Sequence, residues 1–404
     1  PLDTDNMRGL VWKLAIPSML AQFVSVLYSI VDRMYIGNIP EIGEVALAGV
    51  GVCGPIVTLV SSAAFLVGIG GAPLVSIRMG QKNYRAAEAI LANCFLMLTV
   101  IALGLTAFSL LIKNPLLMWF GASETTFVYG NQYITVYLMG TFFALMSTGM
   151  NQFIICQGFA KTGMASVVLG AVCNIVLDLL LVVVFHMGVA GVAIATICSQ
   201  LLSAVLVVIS LMRSEMTPYQ LFPKRLRIYA MPMRSILMIG VPTALQSVMY
   251  NASNIVIQAS INSFGTDAVA AWTAYGKMDI IFWMTITAMA QSITTFAGQN
   301  YGAGEYERLK KGVRVSVAMT ACFTVLLSTA FFLLARPLLA IFSPDPDVLE
   351  VGVEMVRFLA PCYITYILIE LLTGAIRGAG KSVAPMLISV FGVCGLRLLW
   401  LFTV

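Results

Sequence analysis

The chain has 404 residues, 60% of them hydrophobic and 10% charged, with a mean hydropathy of +0.94. Soluble domains carry about 25% charged residues, so this chain has too little charge to cover a water-facing surface. That excludes an ordinary cytosolic enzyme, a disordered protein and a nucleic-acid binder. It leaves a protein of many membrane spans.

Apolar runs long enough to cross a bilayer, about 20 residues, recur along the whole chain. The first nine residues are polar and the segment after them is too long for the apolar core of a signal peptide, so no cleavable leader is expected. Residues 14–31 continue past Asp32 to about Ile39, and 45–77, 89–112 and 125–160 follow. Residues 162–212 contain only Asp178 and His186, and His186-Met187-Gly188 splits them into two spans. In the second half, 235–266, 268–303, 315–335, 351–376 and 382–404 complete a set of six and five spans.

Basic residues in loops favour the cytoplasmic side. When the connections are numbered alternately, Arg8, Lys13, Arg78, Lys82, Arg85, Lys161, Arg213, Lys224, Arg225, Arg227, Arg234, Arg308, Lys310, Lys311, Arg314, Arg377 and Lys381 fall on one side, against Lys113 and Arg336 on the other. The pattern predicts a cytoplasmic N-terminus. The longest polar connection, rich in Arg, Lys and Pro, joins the halves on that side. The predicted organisation is an N-terminal lobe 1–212, a cytoplasmic linker 213–234 and a C-terminal lobe 235–404.

The halves resemble each other. Ala15-Ile16-Pro17-Ser18 matches Gly240-Val241-Pro242-Thr243. Gly80 followed by Tyr84 matches Gly302 followed by Tyr306. Gln157-Gly158 through Thr162 matches Arg377-Gly378 through Ser382. Six spans is an even number, so both repeats enter from the same side. This predicts an all-α polytopic protein of two parallel six-helix repeats forming two lobes about a central cleft, as in some secondary transporters. The second repeat holds five spans, so a twelfth helix is expected beyond this chain.

A charge at mid-membrane costs about 2.5–3.5 kcal/mol on insertion scales, so Asp32, Asp178, Asp279 and Glu370 are functional candidates. Asn174 lies one turn before Asp178 on the same helix face. Carboxylate and amide oxygens on neighbouring helices suit a hard cation or a shared proton. Asp279 is close to Lys277, which leaves a structural role equally open, and Glu370 suits a cavity wall. Tyr137, Met150, Phe153, Tyr250, Asn251, Trp283, Met284 and Tyr363 are further candidates for that wall, though each alone reads as packing.

Other signals carry less. Gly49-Val50-Gly51-Val52-Cys53-Gly54 spells GxGxxG, but it opens a membrane helix, where small residues allow close packing; a dinucleotide site needs a preceding strand. The sequon Asn251-Ala252-Ser253 lies inside a span. The eight Cys stand singly and one His cannot complete a zinc set. There is no Walker motif and no catalytic constellation, so neither ATP-driven pumping nor an enzyme is expected, and no cofactor is implied.

These features resemble the multidrug and toxic compound extrusion (MATE) family. The matching residues are Pro17, Val31-Asp32-Arg33-Met34-Tyr35-Ile36-Gly37, Gln299-Asn300-Tyr301-Gly302-Ala303-Gly304, Gln157-Gly158, Arg377-Gly378, and Gly188-Val189-Ala190-Gly191 running to Thr196. The resemblance implies antiport: H⁺ or Na⁺ enters as an organic, cationic and amphipathic compound leaves by alternating access across the plasma membrane. It implies a cation site, for a proton or Na⁺, made of Asp32, Asn174, Asp178 and Thr196. Some sodium-coupled members also carry acids in the seventh and tenth helices; here the seventh has Gln246, Tyr250 and Asn251, and only Glu370 stands in the tenth. Bending of the first helix at Pro17, which lacks an N–H, is the expected transmitter. Partners are membrane lipids and small organic substrates, with neither nucleic acid nor an obligate protein partner. A rival within the wider superfamily is a flippase for lipid-linked or anionic cargo.

Overall fold

The computed structural model describes residues 7–119, 122–212, 230–341 and 344–403. Among these there are helices and turns and no strand. The chain divides into two compact units, Pro17–Gly240, and Val241–Val404 together with the segment up to Ile16. Most of the expected linker, 213–229, with Arg213, Lys224, Arg225 and Arg227, lies outside the described residues.

The N-terminal unit is built from α1 (Met7–Gly37) from Pro17 onward, α2 (Gly43–Val52), α3 (Gly54–Gly80), α4 (Tyr84–Trp119), α5 (Glu124–Met139), α6 (Thr141–Cys156), α7 (Ala160–Asp178) and α8 (Gly188–Met212). The 31 residues of α1 would extend about 46 Å at 1.5 Å each, and Pro17 interrupts its hydrogen-bond ladder. The expected span 45–77 divides at Cys53: a helix restarts there because Pro55, in the first turn of α3, has no N–H to offer the preceding turn. The expected span 125–160 also breaks, by 60° at Gly140, between α5 and α6. Ser123 and Thr126 cap the start of α5 reciprocally.

Gly49 of the GxGxxG run packs against α5. A carbon added there would meet the Thr126 carbonyl oxygen at 2.6 Å and the Gly130 amide at 3.0 Å. The glycine permits close helix approach, as small residues do between membrane helices. Leu98, Ile134, Met146, Met150 and Phe153 fill the core of this unit.

The C-terminal unit comprises most of α9 (Ala230–Asn262), then α10 (Thr266–Gly302), α11 (Tyr306–Leu333), the short α12 (Ala335–Ala340), α13 (Pro346–Leu359), α14 (Tyr363–Gly378), α15 (Val383–Ser389) and α16 (Leu396–Thr403). The expected span 351–376 is bridged by a 3₁₀ turn, Ala360–Cys362, where Pro361 again removes a donor. Phe282, Ile286, Ile367 and Leu371 form its core, joined by Val11 and Ala15 of α1.

Nine helices among the described residues are long and apolar enough to cross a membrane, and the bent α5–α6 pair makes a tenth. The remaining expected span, 235–266, falls in α9, which is 33 residues long and carries Gln246, Asn251, Asn254 and Gln258. Large apolar side chains such as Leu111 and Phe402 stand exposed, as lipid contact allows and water does not. The repeat is visible in backbone geometry. Two residues after Gly80 and Gly302, Lys82 and Gly304 both take positive φ, 60° and 77°.

Candidate cation site

α1 carries Asp32 near its C-terminal end, α7 ends on Asn174 and Asp178, and α8 brings Thr196 back beside them. The return is possible because a wide π-helical turn, Leu179–Val184, follows Asp178 directly. A tight turn then reverses the chain through His186 and Gly188, with φ of 52° and 65°. A side chain at Gly188 meets nothing nearby, so its glycine serves that left-handed backbone.

Asn174 and Asp178 are fully buried and Thr196 nearly so, while Asp32 is half-buried. Asn174 Nδ2 donates to Asp32 Oδ1 at 2.7 Å. That bond fixes the amide, and Asn174 Oδ1 is left without a donor. The Thr196 hydroxyl lies 3.5 Å from Asp32 Oδ2 and 3.0 Å from the Val192 carbonyl. It has one proton and two acceptors, and the shorter bond takes it. Both oxygens of Asp178 are buried and receive no hydrogen bond, and the charged neighbour acting on them is another acid, Asp32.

The site thus has a surplus of acceptors. A buried unpaired carboxylate is costly, and a second acid beside it adds repulsion. A proton shared between Asp32 and Asp178 removes that cost, and so does a hard cation. Asp178 Oδ1 and Oδ2, Asn174 Oδ1, Asp32 and the Thr196 hydroxyl are oxygen ligands of the type such ions take.

Three side chains absent from the sequence-derived set border this site. Tyr28 and Tyr133 lie within electrostatic reach of Asp32. Tyr133 stacks on Tyr137, with ring centroids 6.0 Å apart, and Gln200 stands beside the Tyr137 hydroxyl. Their signal was helical spacing: Tyr28 is one turn before Asp32, Tyr133 one turn before Tyr137 and Gln200 one turn after Thr196. Tyr137 therefore stands beside these polar groups. Met150 and Phe153 are fully buried core residues in this structure and present no surface to a cavity; their size and apolarity serve packing.

Within the C-terminal unit, Glu370 accepts a 3.0 Å hydrogen bond from Tyr366. Tyr250 is half-buried with Gln246 one turn before it, Asn251 and Trp283 are exposed, Met284 is half-buried and Tyr363 is buried. Asp279 accepts from Tyr363 and Trp283, and the Tyr275 hydroxyl, 3.5 Å from Asp279 Oδ1, bonds the Tyr363 hydroxyl instead.

A multi-pass α-helical membrane protein of two repeated lobes, with a buried acid pair in one of them, is the class these observations define. The MatE family model matches residues 17–180 and 242–403, one stretch in each repeat, and the chain belongs to that family, whose members are transporters and not enzymes. It is 26% identical over 346 residues to a protein named FAD transporter from Shewanella oneidensis, covering 83% of this chain and 75% of that one. It is 24% identical to the probable multidrug resistance protein NorM of Thermotoga maritima, covering 98% and 85%. Its fold superposes on a crystal structure of MATE in the bent conformation with a TM-score of 0.89, at 20% identity, covering 96% of this chain and 86% of that one. An outward-facing MATE family transporter matches with a TM-score of 0.90 at 20% identity, covering 100% and 90%.

Proposed function

We propose that the chain is a cation-coupled antiporter that exports organic, cationic and amphipathic compounds across the plasma membrane. The carrying observation is the acceptor surplus at Asp32, Asn174 and Asp178: a site holding two acids, with no basic side chain paired to them among the described residues, accepts H⁺ or Na⁺ and releases it. The N-terminus lies in the cytoplasm, and lobes 1–212 and 235–404 are joined by the cytoplasmic linker 213–234. The protein works without a cofactor, among membrane lipids.

Coupling requires the ion to bind the two access states with different affinity, because a ligand that favours neither shifts nothing. In this reading the shared ion draws Asp32 of α1 toward Asp178 of α7. Losing it frees the acids to repel, and α1 bends near Pro17, where one ladder bond is missing. Cargo then exchanges as the ion does.

A second reading is favoured by the relative named FAD transporter: cargo of the anionic class, as with lipid-linked substrates in the wider superfamily. The acids Asp32, Asp178, Asp279 and Glu370 argue against it, since an anion meets repulsion from each.

Efflux from proteoliposomes of the purified protein decides between them. A fluorescent organic cation and FAD are loaded separately, with an imposed H⁺ or Na⁺ gradient. Cation efflux driven by one gradient and lost in Asp32→Asn and Asp178→Asn supports the first reading. FAD efflux without cation efflux overturns it.

A further inference from the structure

In the proposed antiport the N-terminal acids take the coupling ion, and the cargo needs a contact of its own. In the C-terminal unit, α10 and α14 build an arrangement around Asp279 that has no role in that site. Tyr363 Oη donates to Asp279 Oδ1 at 2.5 Å, Tyr275 Oη stands 3.5 Å from the same oxygen, and the Trp283 indole N–H donates to Oδ2. The two tyrosine hydroxyls also bond each other. All these donors are neutral, so the carboxylate is held in place while its negative charge stays uncancelled by them. Lys277, two residues earlier, projects about 200° round the helix from Asp279 at 100° per residue.

Aromatic rings fix the arrangement. Tyr363 stacks on Phe282 with centroids 4.2 Å apart and planes 15° from parallel, and meets Phe331 edge-on. The Trp283 ring meets Tyr366 at 4.6 Å in a T-shaped contact, and Tyr366 in turn donates to Glu370. Asp279 is thus locked by packed neighbours, whereas Trp283 keeps 41% of its surface exposed. Its N–H is already committed to Asp279, which pushes electron density into the indole ring. The open element of the cluster is therefore an electron-rich aromatic face beside a fixed carboxylate.

That is the chemistry of organic-cation recognition. A cation within about 6 Å of a tryptophan face gains roughly 0.5–2 kcal/mol, more as water is excluded, and a carboxylate beside it adds a charge that need not reorganise. Glu370 lies within reach of Arg377, so it is the more nearly balanced acid and Asp279 the available one.

We infer that Asp279, Trp283, Tyr363 and Tyr366 form a binding subsite for a lipophilic organic cation, with Asp279 as counter-charge and the Trp283 ring as platform. This rests on the reading of the protein as an exporter of cationic compounds, and it places the cargo contact apart from the coupling acids. A bulky cation with dispersed charge fits better than a small hydrated one, because the indole face rewards poor hydration and both carboxylate oxygens already accept from Tyr363 and Trp283. An anion such as FAD is repelled here.

The test is equilibrium binding, without any gradient, of tetraphenylphosphonium and of neutral triphenylphosphine oxide to the full chain in detergent. The wild type should prefer the cation. Asp279→Asn keeps the shape and an oxygen acceptor, and should weaken phosphonium binding about tenfold while leaving the neutral probe within twofold. Trp283→Leu should weaken it severalfold, with Asp279 intact as a check if the first variant folds poorly. Phosphonium binding should also quench tryptophan emission in the wild type and far less in Trp283→Phe. Equal phosphonium affinity in wild type, Asp279→Asn and Trp283→Leu, each monodisperse by gel filtration, overturns the subsite, as does equal loss of both probes. Because no gradient is applied, a protein that binds the cation through Asp279 yet shows no coupled efflux refutes antiport and leaves the subsite standing.

Discussion

Replacing Asp178 by Asn should stabilise the protein and abolish coupled transport. Both oxygens of Asp178 are buried without a hydrogen bond, and its interacting neighbour is the acid Asp32. Asparagine has the same shape, removes one charge and brings an N–H₂ to face the Asp32 carboxylate. A hydrogen bond to a charged group contributes about 1.5–3 kcal/mol. A midpoint value of about 2 kcal/mol raises the melting temperature of a unit of 150–250 residues by roughly 4–8 °C. The relief of carboxylate repulsion acts in the same direction. The assay is thermal unfolding in detergent followed by tryptophan emission, paired with gradient-driven efflux. Sodium at saturating concentration should raise the wild-type midpoint relative to potassium if Na⁺ is the coupling ion, and should leave the variant unmoved. A variant that melts below the wild type in alkaline, sodium-free buffer, where neither a shared proton nor Na⁺ bridges the pair, means the acids are compensated by the protein itself. A variant that still couples efflux to a gradient means the ion binds elsewhere. Either result refutes the acceptor-surplus argument.

Thr196→Val removes a hydroxyl whose shorter bond goes to Val192 rather than Asp32. It should raise the half-saturating ion concentration by about 2–10-fold, the equivalent of one neutral hydrogen bond of 0.5–1.5 kcal/mol, with folding intact; no change in ion dependence removes Thr196 from the site. Pro17→Ala restores the missing N–H in α1 and should slow coupled efflux without changing the binding of tetraphenylphosphonium; unchanged efflux eliminates bending at Pro17 as the transmitter. Gly378→Val should destabilise the C-terminal unit by about 1–3 kcal/mol through overpacking. An added carbon there meets the Thr294 carbonyl oxygen at 2.6 Å and Ala297 Cβ at 2.9 Å, and backbone cannot swing aside. An unaltered melting curve would show that α10 and α14 separate freely.

The fold was legible because the bilayer permits few architectures. Apolar length and loop charge suffice to count spans, and three matches in register reveal the repeat. What stayed hidden were the breaks within spans. Cys53, Gly140 and Pro361 sit inside runs whose mean hydropathy reads as one continuous span, so hydropathy cannot see the breaks, although Pro55 and Pro361 marked two of the three. At the site, Asp32, Asn174 and Asp178 were conspicuous because charge and amide inside a span are expensive. Tyr28, Tyr133 and Gln200 were not, because a membrane helix tolerates such residues anywhere; only their one-turn spacing from Asp32, Tyr137 and Thr196 distinguishes them. Met150 and Phe153 show the converse limit. Nothing in a sequence separates an apolar side chain lining a cavity from one filling a core.

The two repeats differ where they should be most alike. In the first, α1 meets α7 through Asp32 and Asn174, next to a π-helical turn that follows Asp178. In the second, α9 meets α16 through Arg397, whose Nη1 donates to Asn254 Oδ1 at 2.9 Å and Ser253 Oγ at 3.3 Å. There too a π-helical turn, Val390–Gly395, adjoins the contact. One repeat therefore places two acids at this junction and the other places a guanidinium. A guanidinium does not lose its proton in a protein, so the second junction carries a permanent cation where the first, in the proposed antiport, takes an exchangeable one. If the proposed antiport holds, coupling through one repeat only follows from that difference. Arg397→Gln should then cost about 1.5–3 kcal/mol of stability, a charged hydrogen bond, yet leave the identity of the driving ion and the number of ions per cargo molecule as in the wild type. A changed ion requirement in that variant would mean that the second junction also exchanges ions, and the acid pair of the first repeat would no longer be sufficient to explain the coupling.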